Sequence, residues 1–467
     1  MWLCACLSLL CVGYLLLTPP FQAPDEPNHF LRAYQLSTGE IWGRKEVTSA
    51  PFGIPLEHGG GYVPSVIARD VLLFSDLKAH PERSLRFTEW RDRLRESGRL
   101  DAESRHQMVF CAFPNTVTYP PMAYVPAALA IFVARVLGLS TICALYLARA
   151  FTMTSTLTLV AGALRLSGAC RGRQLTVFCL AALPMTAFLI PTVSGESVLI
   201  ALSLLVVVLA LRLANSWSPS AFFAFLGASL ALALCKPPGF VASLLILPSL
   251  LSSKEARWTR FGRGVAVIGT SVGVACLWLA SVAHLDSPLR YDINGSLAAK
   301  DQMAFFVTHP FHASVSFGKE FLVHRAAEYG RSFIGVLGWL DTPVPDGARH
   351  GFVALLAFSL ILGSRSDPEC GGRRLRLVVW SLALSAASVY LVMLGAYLVW
   401  SKVGAYEVLG VQGRHFLPAA AVLFPTLSPA IKLSTRRYLV ARAIIVLGWI
   451  ACSIWVWRTL LLRYWGV

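Results

Sequence analysis

Residues 121–173 read "PMAYVPAALAIFVARVLGLSTICALYLARAFTMTSTLTLVAGALRLSGACRGR". Two apolar runs precede a loop that is rich in arginine and free of acids. Residues 142–164 are long enough to cross a bilayer, whereas 121–137 is short and carries Pro126 and Arg135. Short basic loops stay on the cytoplasmic side, so 165–173 is expected inside. Were both runs to cross, that loop would emerge outside, against its charge. The run 121–137 is therefore expected to lie in the outer interface or to re-enter, and 142–164 to be the crossing.

The same logic extends along the chain. The loops 254–263 ("KEARWTRFGR"), 365–376 ("RSDPECGGRRLR") and 432–442 ("KLSTRRYLVAR") are also rich in Lys and Arg and are placed inside. The expected spans are 2–18, 142–164, 174–191, 196–213, 219–235, 238–252, 263–283, 351–363, 377–400, 414–431 and 443–462. That makes about eleven crossings with the N-terminus cytoplasmic. Two long polar segments, 19–141 and 284–350, then lie outside within one transmembrane domain, 1–467. The opening "MWLCACLSLLCVGYLLL" has no basic start and no convincing cleavage site, and reads as a retained first helix.

Composition agrees. The 467 residues are 56% hydrophobic and 14% charged, with a mean hydropathy of +0.61. A soluble chain carries about 25% charged residues, so this is an all-α polytopic membrane protein. The net charge of +16 sits in short scattered loops, which suits topology and contact with anionic membrane lipids. Such loops offer no footprint for nucleic acid. Most of the 11 cysteines lie in apolar runs and none forms a C-x-x-C pair, so neither zinc nor a disulfide framework is expected.

The acids gather where the first apolar run ends. In "PPFQAPDEPNHFLRAYQLSTGE", residues 19–40, Pro24 and Pro27 bracket Asp25 and Glu26. One reading makes either acid the cap of a following helix, with Pro27 in its first turn. The other places a carboxylate at the interface as a general base, with His29 and Arg32 one turn further on to help bind an anionic group. No nucleotide-binding or zinc-hydrolase pattern is present.

"APDEPNHFLRAYQLSTGEI" resembles the opening motif of a bacterial family of multi-pass proteins known as domain of unknown function 2142. "YPPMAYVPAALAIFVARVLGLS", "FIGVLGWLDTPVP" and "GVQGRHFLP" resemble its later motifs, in the same order. The family is grouped with the GT-C glycosyltransferases, whose long first outer loop opens with an acidic motif and holds juxtamembrane helices. The resemblance implies transfer of a sugar from a polyprenyl-phosphate-linked donor to an envelope glycan or lipid acceptor, at the outer face of the bacterial cytoplasmic membrane. Asp25 is then the first choice for the base and Glu26 the second. Arg414, at the outer end of a span, is the expected phosphate contact, unless it merely snorkels to the interface. His415 stands where members often carry Tyr.

Lys236, in "CKPPG", would pair with a phosphate or cap a helix C-terminus. Glu196, in "PTVSGES", is a second acidic group, or a first-turn residue behind a Ser194 cap. Asp341, in "GWLDTPVP", contacts substrate or serves as a turn residue. Asp25, Glu26 and Glu196 are the candidate ligands should the enzyme use Mg or Mn. The rival readings are a flippase or exporter of lipid-linked saccharides, which would keep charges near the bilayer midplane, and a polymerase using a longer lipid-linked donor.

Overall fold

In a computed structural model the chain is 76% helical, without a closed sheet. The structure describes residues 2–49, 55–97, 107–248, 257–285, 291–292, 295–296, 299–362, 371–428 and 434–466. Among these, five helices are long and apolar enough to cross a membrane: Thr141–Leu166, Gly195–Asn215, Phe261–Leu285, Arg374–Trp400 and Thr435–Trp465. Each coincides with an expected span.

The other six expected spans are shorter or broken. Trp2–Leu17 has 16 residues and is about 24 Å long, against about 30 Å of hydrocarbon. Pro219–Ala233 and Asp346–Ile361 are similarly short. Residues 174–191 divide into Arg171–Ala182 and Pro184–Leu189, because Pro184 can donate no helical hydrogen bond and leaves Leu183 extended. Residues Pro237–Ile246 wind as a 3-10 helix behind two prolines, and Gly413–Phe416 is a 3-10 turn leading into Leu417–Leu427. The ends of three expected spans, 249–252, 363 and 429–431, lie outside the described residues. Broken backbone survives at membrane depth only inside protein. Leu175 to Ile190 is accordingly buried almost throughout.

The first polar segment corrects the all-α expectation. It contains the antiparallel sheet β1 (Arg44–Ser49), β2 (Pro55–Pro64) and β3 (Met108–Ala112), in that order, with Arg44 opposite Gly60 and Gly60 opposite Ala112. Within the charged stretch 80–107, expected to be a solvated helix, the helix Phe87–Glu96 forms with no buried residue, while 98–106 lie outside the described residues. Residues 121–137 form the 3-10 turn Pro121–Tyr124 and the 12-residue helix Val125–Val136. That helix folds back on Thr141–Leu166 and packs against Glu26–Ser37, where Arg135 donates to the Ser37 carbonyl at 2.7 Å and covers the Tyr34 ring. Its other side leaves Leu129, Phe132 and Val136 exposed.

Three of the basic segments, at 171–173, 374 and 435, gather at one end of the bundle. Arg171 donates to Thr435 Oγ1 at 3.2 Å, Arg173 to the Pro425 carbonyl at 3.1 Å, and Arg374 to the Leu427 carbonyl at 3.2 Å. The long helix Thr141–Leu166 runs from the first polar segment to this basic end.

Candidate active site where the first polar segment meets the bundle

Asp25 occupies the N-cap position of Glu26–Ser37 but makes no capping bond with its side chain. It sits in the left-handed region at φ 59°, which Asp tolerates better than most residues. The capping reading thus gives way: the carboxylate turns outward to Arg414, whose Nη2 lies 3.2 Å from Asp25 Oδ2. Asn115 donates to Asp25 Oδ1 at 3.4 Å and accepts from Asn28 at 2.7 Å. The Asp25 side chain remains 38% exposed, whereas that of Arg414 is 5% exposed.

Glu196 reaches the same guanidinium from the first turn of Gly195–Asn215. Its Oε2 lies 3.4 Å from Arg414 Nε, without hydrogen-bond geometry, and its Oε1 lies 3.3 Å from His415 Nε2. The Gln412 amide donates to His415 Nδ1 at 3.3 Å, so Nε2 carries the proton and points it at Glu196. Ser194 holds the N-cap position but does not cap, and its buried hydroxyl has no partner among the described residues. An oriented helix N-terminus thus stands next to a buried cation, the arrangement that favours anions.

Lys236 closes another side, with Nζ 5.3 Å from the centre of the Tyr119 ring. Burial works to lower its pKa, but Tyr119 and Glu196 outweigh that and hold it above the usual lysine value. Lys236 therefore stays charged, within electrostatic reach of Glu196 and Arg414. His29 bonds through Nδ1 to the Tyr124 hydroxyl at 2.7 Å. Burial depresses its pKa to about 4, so it is neutral at pH 7.

Three candidates are held elsewhere. Glu26 is fully buried and locked to Arg149 by two bonds, of 2.8 and 2.5 Å, while its Oε1 also accepts from the Val193 amide. Arg149 also donates to the Thr18 and Pro19 carbonyls. This pair ties the first polar segment to the bundle, and Glu26 presents no surface to a substrate. Arg32, also buried, binds Gln35 and the carbonyls of Ile41 and Tyr119, so it positions Tyr119 rather than meeting an anion. Asp341 pairs with Arg463 at 2.6 Å, and Arg463 also holds the Leu77 and Arg83 carbonyls. That clamp fastens the second polar segment to the last helix.

The 410–418 motif reaches the site because it rests on the helix Ala326–Gly335. The Gly413 amide donates to Ser332 Oγ at 2.8 Å, and a Cβ there would overlap the Tyr329 carbonyl and the Phe333 amide. Sequence reading missed Arg149, Asn115, Tyr119 and Tyr124. A signal existed for Arg149, an ionisable residue in the middle of an expected span. Tyr119 and Tyr124 stand in the motif quoted from residue 119, while nothing local marks Asn115.

The carboxylates do not fit a divalent metal. Asp25 and Glu196 both face Arg414, Glu26 faces Arg149, and among the described residues no group of three or more His, Cys, Asp or Glu could hold an ion. The five long apolar helices, the broken spans buried inside them and the basic end make this a multi-pass membrane protein. The chain belongs to the DUF2142 family of predicted membrane proteins, whose model matches residues 7–423. No curated protein and no solved structure matched it.

Proposed function

We propose that the chain is an integral membrane glycosyltransferase of GT-C-like architecture, in which all eleven segments cross the bacterial cytoplasmic membrane with the basic end inside. It moves a sugar from a polyprenyl-phosphate donor to an envelope glycan or lipid acceptor at the outer face. Asp25 takes the proton of the acceptor hydroxyl, the acceptor oxygen forms the new bond at the sugar's anomeric carbon, and the bond from that carbon to phosphate breaks. The departing polyprenyl phosphate is received by Arg414, Lys236 and the N-terminus of Gly195–Asn215. Nucleotide sugars are not available outside the membrane, so a lipid-linked donor suits this location.

The observation that carries the reading is the Asp25–Arg414 pair: a partly exposed carboxylate beside a desolvated cation, at the end of the bundle away from the basic loops. An exporter would need charged groups lining a path through the membrane. The buried ionic pair of the described bundle interior, Glu26 with Arg149, is instead closed on itself and on backbone carbonyls. The test is radiolabelled sugar transfer from polyprenyl-phosphate donors in proteoliposomes. Transfer by the wild type, abolished in folded Asp25→Asn and Arg414→Ala variants, supports the reading. Transbilayer movement of a lipid-linked sugar without transfer assigns the protein to the exporters.

A further inference from the structure

The second polar segment carries an apolar surface that its sequence conceals. Helices Ala299–Thr308 and Pro310–Lys319, continued by the π-helical turn Glu320–His324, turn one side inward. Ala313 and Phe317 pack there with Tyr329, Met393, Tyr397 and Phe416, in a core distinct from the two larger ones. Gln302 fastens this unit by donating to the Tyr397 carbonyl at 3.3 Å and accepting from the Gly404 amide at 3.0 Å.

The opposite side is also apolar. Met303 and Val307 on the first helix, Phe311 and Val315 on the second and Leu322 on the turn are all exposed, Phe311 by 85%. Helices apolar on two sides need a second apolar environment. The position of the unit identifies it. The 30-residue helix Gly371–Trp400 is about 45 Å long, and the bilayer core takes about 30 Å of that. Its Arg374 lies at the basic end of the molecule, so the helix reaches the far boundary of the membrane near Leu394, and the stretch from there to Trp400 emerges. The unit packs on that stretch, amid Tyr390, Tyr397 and Tyr406, residues of the kind that gather at a membrane interface. Lys300, Lys319 and Arg331 are exposed around it, suited to lipid phosphates.

We propose that residues 299–324 are an interfacial lipid-binding element: the exposed apolar side chains from Met303 to Leu322 lie among the acyl chains of outer-leaflet phospholipids, beside the site mouth at Arg414. The name of the leaflet rests on the sidedness adopted above; the lipid contact does not depend on sugar transfer.

The full chain in phospholipid nanodiscs, with p-benzoylphenylalanine placed at Phe311 or at Leu322, tests this by photocrosslinking and mass spectrometry. Leu447, exposed on a membrane-crossing helix, serves as the lipid-facing comparator, and Arg91, on the solvated helix Phe87–Glu96, as the water-facing one. The expected result is phospholipid adducts at Phe311 and Leu322 comparable with those at Leu447, and none at Arg91. Adducts at Leu447 alone overturn the proposal. So do crosslinks from Phe311 to a second copy of the chain in place of lipid. Both positions are exposed, so the substitutions leave the core intact, and neither outcome bears on whether Asp25 catalyses transfer.

Discussion

Asp25 and Arg414 are 389 residues apart in sequence, and their side chains meet at 3.2 Å. The contact joins the first polar segment to the start of a late apolar segment. Arg414 is shared with Glu196, so one buried guanidinium holds two carboxylates from different parts of the chain.

Arg414→Lys keeps the charge but loses the planar fork that faces both carboxylates. A folded variant whose transfer falls about 100-fold is expected, as for the loss of an oriented charge-stabilising donor. Size-exclusion behaviour and Tm establish folding, and donor titration measures the loss. Wild-type rates in Arg414→Lys would remove Arg414 from the phosphate site.

Asp25 separates conformation from chemistry. Asn enters the left-handed region readily, whereas Ala pays about 1–2 kcal/mol there. Asp25→Asn should therefore keep a near-wild-type Tm while losing transfer, and Asp25→Ala should lose both. Equal Tm values for the two variants would show that φ 59° is not imposed at this position.

Glu26 should behave in the opposite way. Removing one partner of a buried ion pair costs about 3–5 kcal/mol, because the other charge is stranded. Glu26→Gln and Arg149→Met are each expected to lower Tm sharply, and the double variant Glu26→Met/Arg149→Met to recover much of the loss. A stable but inactive Glu26→Gln would return this acid to the catalytic group.

Gly413→Ala tests the support of the site. The added Cβ meets backbone atoms of Ala326–Gly335, which cannot rotate away as a side chain would. Displacement of the motif, with loss of transfer and a lower Tm, is expected. The neighbouring Val411→Ala only trims a buried apolar side chain and should keep measurable activity.

His29 predicts a pH dependence. Its folded pKa of about 4 lies below the ordinary value of 6.5, so protonation favours the unfolded chain. Its effect is absent above pH 6.5, and stability falls as pH drops from about 6.5 toward 4, by up to about 3 kcal/mol. Asp25 and Glu196 nearby oppose this shift, and Arg414 and Lys236 add to it. The Tm difference between wild type and His29→Gln, followed from pH 7.5 to 4, should change in this window. A constant difference would mean that His29 does not titrate there.

The sequence by itself determined the membrane class and the five long crossings, because apolar length and basic loops are local properties of the chain. It also marked Asp25, Glu196, Lys236, Arg414 and His415 as candidates, and the structure brings these together. Proximity was beyond its reach. Glu26 and Asp25 are neighbours of the same chemical type, and the left-handed turn at Asp25 sends one carboxylate outward while the other is buried against Arg149. Arg32 and Asp341 looked equally able to serve a substrate until their partners, backbone carbonyls and Arg463, came within bonding distance. The breaks at Pro184 and Pro237 were visible as prolines, but only burial inside the bundle allows such breaks at membrane depth. Tertiary packing decided these points because each depends on which groups from distant segments share a desolvated space.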